Sequence, residues 1–342
     1  NICELEQFVY SLVNKYLEII VIKEEFNKIK NESIRLLSFP FSSYRKGQRE
    51  LAVNCFNTIK QNGILFAQAP TGIGKTISTI FPALKSIGEN RGEKIVYLTA
   101  KTITRTVAQE AYLKLYDKGL KFKVVTITAK EKMCLNNEVK CNPDDCIYAK
   151  DYFTKINNVI ASLIKKDDKF FEDDIIEYAK MYNICPFQLS LDLSEWCDGI
   201  ICDYNYAFDP TVKLKRIFEE RNEKNILLID EAHNLVSRAR NMYSCQIEKS
   251  KIVNVNKVIK GKVPRLYKIS NAINKEMILI RRELEEINEN MPLKFSTEPD
   301  SLIRVLMTYK GLKNPIKVQE QKLKTPERNG FVAVEWGGTE IN

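Results

Sequence analysis

The stretch Ile64-Leu-Phe-Ala-Gln-Ala-Pro-Thr-Gly-Ile-Gly-Lys-Thr76 limits the fold more than any other. Its apolar start, Ile64 to Ala67, predicts a short buried strand. A tight loop follows through Pro70, Thr71, Gly72, Ile73 and Gly74, and Thr76 to Leu84 predicts a helix start. Strand, glycine-containing loop and helix in that order are the context of a phosphate-binding loop. Backbone N–H groups of the loop and first helical turn can point at an anion. Lys75 can reach the β- and γ-phosphates of a nucleotide, and the Thr76 hydroxyl can sit on Mg²⁺. The one departure from the pattern is Ala69, which stands where the pattern has glycine. An ordinary glycine turn is the competing reading, and the Gly-Lys-Thr ending disfavours it.

A second stretch completes the first. Asn225-Ile-Leu-Leu-Ile-Asp-Glu-Ala-His233 predicts another apolar strand, ending in Asp230 and Glu231. A carboxylate at the C-terminal end of a neighbouring parallel strand, here Asp230, can hold the Mg²⁺ that the loop presents. The next one, Glu231, can orient or deprotonate the attacking water. His233 is the only histidine of the chain, placed to couple the nucleotide site to its neighbour.

Further strands are predicted at Lys94 to Thr102, Lys123 to Thr128 and Gly199 to Tyr204, with helices at Gln48 to Ile59 and Thr104 to Tyr116. Strands alternating with helices mean an α/β fold built on a parallel sheet. Residues 1 to 38 show an apolar i, i+3, i+4 rhythm and predict a helical lead-in. Arg45 and Gln48, three apart at a helix start beside aromatic residues, can hydrogen-bond a nucleotide base; helix capping explains them equally well. Thr99, Lys101 and Thr102 end a strand in hydroxyls and a cation, which suits backbone phosphates without base readout.

The chain has 342 residues, enough for two or more domains. No apolar run is long enough to span a bilayer, so no membrane role is expected. There is no signal-peptide pattern and no initiator Met; a cytoplasmic piece of a longer protein is expected. The net charge of +9 favours a polyanionic partner. Cys134, Cys141, Cys146 and Cys185 have the spacing Cys-x6-Cys-x4-Cys-x38-Cys. Zinc knuckles show two close pairs, so the pattern suits a four-Cys iron–sulfur site better. On spacing alone, cluster, zinc and unligated thiols all stand. Cys3, Cys55, Cys197, Cys202 and Cys245 read as buried residues. Residues 246 to 290 are predicted helical and strongly basic, either as a solvated face or as a groove along single-stranded nucleic acid. The tail from Lys317 predicts no element.

In order, Arg45-x-x-Gln48, the loop ending in Lys75-Thr76, Tyr-Leu-Thr-Ala-Lys-Thr102, the four cysteines with Cys185-Pro-Phe, Cys202-Asp-Tyr-Asn-Tyr and Asp-Glu-Ala-His-Asn234 resemble the XPD/DinG family of superfamily 2 DNA helicases. The resemblance covers residues 40 to 250 best. It implies a RecA-like motor domain (39–130 and 190–245), an iron–sulfur insertion (131–189) and a helical arch-like region (246–342). It implies ATP, Mg²⁺ and a 4Fe–4S cluster on the four cysteines. It also implies adenine contact by Arg45 and Gln48, DNA contact by Thr99, Lys101 and Thr102, and 5′ to 3′ movement on single-stranded DNA with unwinding at duplex junctions. Two details vary: the Thr-Ala-Lys-Thr wording and the spacing of the first three cysteines. The family's second motor domain, with the arginines that complete the ATP site, has no counterpart here, so an incomplete motor is expected. A binding module without turnover and an RNA helicase are the alternatives.

Overall fold

The computed structural model describes residues 2–70, 72–220, 224–244, 248–287 and 330–336. The chain divides into two compact units, Asn1–Tyr243 with Arg328–Asn342, and Ser244–Glu327.

The first unit is a parallel sheet. Its strands are β1 (Ile64–Gln68), β2 (Lys94–Thr99), β3 (Val124–Thr126), β4 (Lys169–Phe170), β5 (Gly199–Asp203), β6 (Asn225–Ile229) and β7 (Gly330–Trp336). The spatial order is β1-β7-β6-β2-β5-β3-β4 and every neighbouring pair is parallel. All C-terminal strand ends therefore lie along one edge, where ligands bind in open α/β sheets. β2 is buried at every position, as expected of a central strand covered on both faces.

Two helical layers supply that cover. On one face lie α1 (Ile2–Leu36), α2 (Gln48–Lys60), α3 (Lys75–Gly88) and α4 (Thr102–Tyr116). Their Ile34, Ile59, Ile80, Leu84 and Leu115 meet the sheet's Ile95, Tyr97, Val124 and Ile201. Along each strand the alternate residues, such as Val96, Leu98, Val125 and Ile200, face the other layer. After a single turn, α5 (Lys130–Met133), that layer is made by α6 (Tyr152–Lys166), α7 (Glu172–Tyr182), α8 (Pro186–Ser194), α9 (Asn205–Phe208) and α10 (Lys215–Phe218). α7 carries Glu172, Asp173 and Asp174 in its first turn, which suits the positive helix end. α8 starts with Pro186, whose missing N–H costs nothing there. α11 (His233–Met242) follows β6.

Within the expected insertion, 131–189, Ile156, Ile160, Leu163, Ile175 and Leu189 belong to the sheet's own core. A crossover from β3 to β5 must cover that face, and its apolar period does so. Within the tail, expected to form no element, Gly330–Trp336 forms β7 between β1 and β6 and so belongs to the sheet of the first unit rather than to the expected arch-like region. Cys3 is exposed, whereas Cys55, Cys197 and Cys202 are buried; Cys245 lies outside the described residues.

The apolar rhythm of α1 also divides. Phe8, Val9, Val13 and Tyr16 are exposed. The end of α1 is the docked part: Lys30 Nζ donates to Asp198 Oδ1 at 2.6 Å, Ile34 is fully buried, and Lys85 Nζ donates to the Ile34 and Arg35 carbonyls at 2.7 and 3.0 Å. That lysine satisfies carbonyls a helix end leaves open.

The second unit contains α12 (Lys249–Ile259) and α13 (Pro264–Ile287), packed together across a turn where Gly261 has φ 76°. Lys251, Lys257, Lys260, Lys262, Arg265 and Lys268 are exposed on it. The rest of the expected arch-like region, 288–329, lies outside the described residues. Among the described residues no helix is long and apolar enough to cross a membrane.

Candidate active site

β1 delivers the chain into its loop at the sheet edge. Gly72 and Gly74 have φ 84° and 85°, the left-handed region that side chains disfavour. Gly74 is the N-cap of α3, so the open amides of that helix start at Lys75. Lys75, Thr76, Asp230, Glu231, Arg45, Gly72 and Gly74 line one cavity of about 280 Å³, together with Thr104 and Val107 of α4. The α4 pair carried no motif signal. Pro70 is exposed, and Ile73 packs its Cδ1 near Gly47; neither lines this cavity. Thr71 lies outside the described residues.

Arg45 and Gln48 brace the loop. Arg45 Nη1 donates to the Gly72 carbonyl. Gln48 is buried; its Oε1 accepts from the Arg45 N–H at 3.0 Å, and its Nε2 reaches the Gly74 carbonyl at 3.5 Å. The N-cap of α2 is Gly47 with no side-chain cap, so the Arg45 and Gln48 side chains serve the loop contact and not helix capping.

The turn after β6 is equally constrained. Asp230 is buried at the end of β6. Glu231 has φ 52°, a left-handed conformation that costs a non-glycine residue on the order of 1–3 kcal/mol and clusters at functional sites. Its Oε1 accepts from Lys75 Nζ at 3.4 Å, and its Oε2 lies 3.3 Å from His233 Nδ1. The lone histidine therefore adjoins the carboxylate proposed to act on water. Tyr97 Oη donates to Thr76 Oγ1 at 3.4 Å. Tyr204, fully buried at the end of β5, donates its hydroxyl to the Asp230 carbonyl and stands 3.1 Å from the Glu231 carbonyl. Burial, then the neighbouring Asp230 and Glu231, pushes that phenol well above its ordinary range, so it stays a donor. Both tyrosines lie in sequence motifs, Tyr-Leu-Thr-Ala-Lys-Thr102 and Cys202-Asp-Tyr-Asn-Tyr, that gave them no role of their own; a tyrosine one residue past a strand end, with a hydroxyl to satisfy, is the further signal that Tyr204 offers.

The residues present fit a nucleotide with Mg²⁺. Glycine amides and Lys75 would face phosphate, while Thr76 and Asp230 would hold the cation. Mg²⁺ commonly takes only one or two protein ligands beside phosphates and water.

A larger crevice, about 630 Å³, lies along the same sheet edge at the ends of β2, β3 and β5. Lys101, Arg105, Lys130, Lys132 and Arg238 line it against Glu131 and Asp203. Thr99, Lys101 and Thr102 are all in its wall. Their roles differ: Thr99 is buried and its hydroxyl donates to the Lys101 carbonyl at 3.2 Å, shaping the turn. Lys101 and Thr102 are exposed. Arg105 is held by Thr128 Oγ1 at 2.6 Å, and Lys132 Nζ reaches Thr102 Oγ1 at 3.4 Å.

The cysteines are brought together in part. Cys185, at the N-terminus of α8, has its thiol pushed up by burial and also by Cys141 and Cys146, against hydrogen bonds from the Gln188 and Phe187 amides. Asn136 Nδ2 donates to Cys146 Sγ at 3.1 Å. Cys134 ends α5 and is not among the groups acting on Cys185. The thiol chemistry suits an iron–sulfur group, but among the described residues no set of three or more His, Cys, Asp or Glu side chains stands in metal-holding geometry. The arrangement as it stands does not fit a cluster.

Residues 97–252 match the DEAD_2 family model. This segment is similar to the DEAD_2 family. Over 258 residues the chain is 22% identical to a regulator of telomere elongation helicase 1 homolog of Caenorhabditis briggsae, covering 63% of this chain and 26% of that protein. Over 206 residues it is 27% identical to a probable ATP-dependent helicase of Methanocaldococcus jannaschii, covering 59% and 30%. Over 230 residues it is 21% identical to the general transcription and DNA repair factor IIH helicase subunit XPD/RAD3 of Saccharomyces cerevisiae, covering 58% and 29%. A solved XPD helicase aligns at 18% identity with a TM-score of 0.46, over 79% of this chain and 46% of that one. The chain thus spans roughly a quarter to a third of the length of these curated relatives. The DEAD_2 segment contains the crevice wall from Thr99, all four candidate cysteines, and Asp230, Glu231 and His233; the phosphate-binding loop lies just upstream of it.

Proposed function

We propose that this chain is the first motor domain of an ATP-dependent DNA helicase that moves 5′ to 3′ on single-stranded DNA and opens duplex junctions. The supporting observation is that one sheet edge carries both the nucleotide cavity, with Lys75, Thr76, Asp230 and Glu231, and the basic crevice beside it. Lys75 and the loop amides bind phosphate, Thr76 and Asp230 hold Mg²⁺, and Glu231 takes the proton of the attacking water. Mg²⁺ supplies charge neutralisation on the transferred phosphoryl group. Lys75 leaves Glu231 to meet phosphate, which frees that carboxylate for its role. Lys101, Thr102 and the crevice cations contact the sugar–phosphate backbone. The proposal includes a 4Fe–4S cluster on Cys134, Cys141, Cys146 and Cys185, which requires the four thiols to draw together; no step depends on it. It also includes a place of action with the DNA, in the cytoplasm, and a part in DNA repair.

The test is ATP hydrolysis by the intact protein with and without single-stranded DNA, beside Lys75→Ala. Hydrolysis stimulated by DNA and lost in the variant is expected. Absent stimulation, or full activity in the variant, would sink the reading. Matched RNA oligomers in competition decide between DNA and RNA.

A further inference from the structure

Asp203 and Tyr204 are adjacent in the chain but reach two different sites. Asp203 lines the basic crevice; its Oδ2 accepts from Arg238 Nη2 at 2.5 Å and its Oδ1 from the Asn205 N–H at 2.9 Å. Arg238 stands on α11, the helix that begins two residues after Glu231. Arg238 Nε is buried and has no hydrogen-bond partner among the described residues. Tyr204 spans the other way, with its hydroxyl over the Asp230 and Glu231 carbonyls. The Tyr204 amide donates to the Thr99 carbonyl at 3.3 Å, in the crevice wall. The strained turn at Glu231 is therefore held from both sides by one dipeptide, through Tyr204 before it and through Asp203 and Arg238 behind it.

We propose that Asp203, Tyr204 and Arg238 are positioning residues that transmit phosphate occupancy of the crevice to the Glu231 turn. This rests on the nucleic-acid reading of the crevice given above. The bistable element is Arg238. Without nucleic acid it is paired with Asp203. A backbone phosphate in the crevice is a stronger bidentate acceptor for the guanidinium. Once Arg238 turns to phosphate, α11 is no longer tied to the end of β5, and Tyr204 alone sets the position of the catalytic turn. Linkage then requires that each ligand change the affinity for the other by the same factor.

The experiment measures binding of a non-hydrolysable ATP analogue to the full chain, with and without saturating oligothymidylate, and the reciprocal titration. The wild type should show a coupling factor of about five-fold or more, within the usual range. In Tyr204→Phe the factor should fall to about one, whatever the affinity of the variant for each ligand alone. Asp203→Asn and Arg238→Gln should each abolish coupling, with the double variant no worse than either. Asp203→Glu, which keeps the charge, should restore it. Melting curves select the folded variants. Wild-type coupling that survives in folded Tyr204→Phe and Asp203→Asn overturns the proposal, as does a wild-type factor of one while both ligands bind. A chain that binds neither ligand instead overturns the helicase reading.

Discussion

The two sites on the sheet edge are built in opposite ways. The nucleotide cavity is a backbone device: two left-handed glycines, a helix start and a left-handed Glu231 fix it within short runs of chain. The basic crevice is a side-chain device, drawn from β2, β5, α4, α5, α11 and the loops between them. A backbone device tolerates little, because its groups cannot re-aim without moving the chain. A side-chain device with several cations degrades by steps. Loss of one group should be nearly all-or-none in the first and graded in the second.

The sharpest expected effect is on catalysis. Glu231→Gln keeps shape and removes the base, so hydrolysis in the intact protein should fall about 10²–10⁴-fold. Nucleotide and oligonucleotide binding should persist. Hydrolysis at the wild-type rate would show that Glu231 is not the base and would break the first half of the comparison.

The next effect falls on both sites at once. Leu163 of α6 is fully buried against the sheet. Leu163→Ala should destabilise the first unit by about 2–5 kcal/mol, as Leu84→Ala on the opposite face should. Chemical denaturation should show a single transition shifted in both. If Leu163→Ala shifted only a separate early transition, residues 152–194 would be an independent insertion after all.

A smaller effect isolates the nucleotide side. Gly74→Ala places a Cβ at φ 85° and only 2.6 Å from Gln48 Nε2. The conformational cost is on the order of 1–3 kcal/mol, and one decade of affinity is about 1.4 kcal/mol. Nucleotide binding should weaken about tenfold with oligonucleotide binding unchanged. Equal weakening of both would mean that the two sites share their scaffold more closely than their lining residues indicate.

The same contrast explains what could be read without coordinates. Lys75, Thr76, Asp230 and Glu231 were legible because each sits in a contiguous motif whose local conformation is its function. Strands β1, β2, β5 and β6 were legible as apolar runs. β7 was not, since Gly330–Trp336 is a strand by virtue of its two parallel neighbours, and nothing in a Gly-flanked tail fixes those partners. The helix face of Tyr152, Ile156, Val159, Ile160 and Leu163 was present in the sequence, but cysteine spacing drew the segment towards a separate insertion. The contacts of Gln48, Tyr204 and Arg238 were hidden for one reason: each reaches by a hydrogen bond or ion pair to a residue at least 26 positions away.

The smallest expected effect probes the graded side. Lys132 is exposed, lines the crevice and lies 3.4 Å from the Thr102 hydroxyl, with no part in the sheet core. If it neutralises one phosphate of a single strand, Lys132→Gln should lower the slope of log affinity against log salt by roughly 0.7. Affinity should drop modestly at low salt, and the two curves should converge as salt rises, because a screened charge contributes little. Lys101→Gln should do the same, and the pair together should lose roughly twice the slope. A slope that collapses entirely with one lysine would mean that a single contact orders all the others. The crevice would then behave like the phosphate-binding loop, and the distinction between a backbone-built and a side-chain-built site would fail at this edge of the sheet.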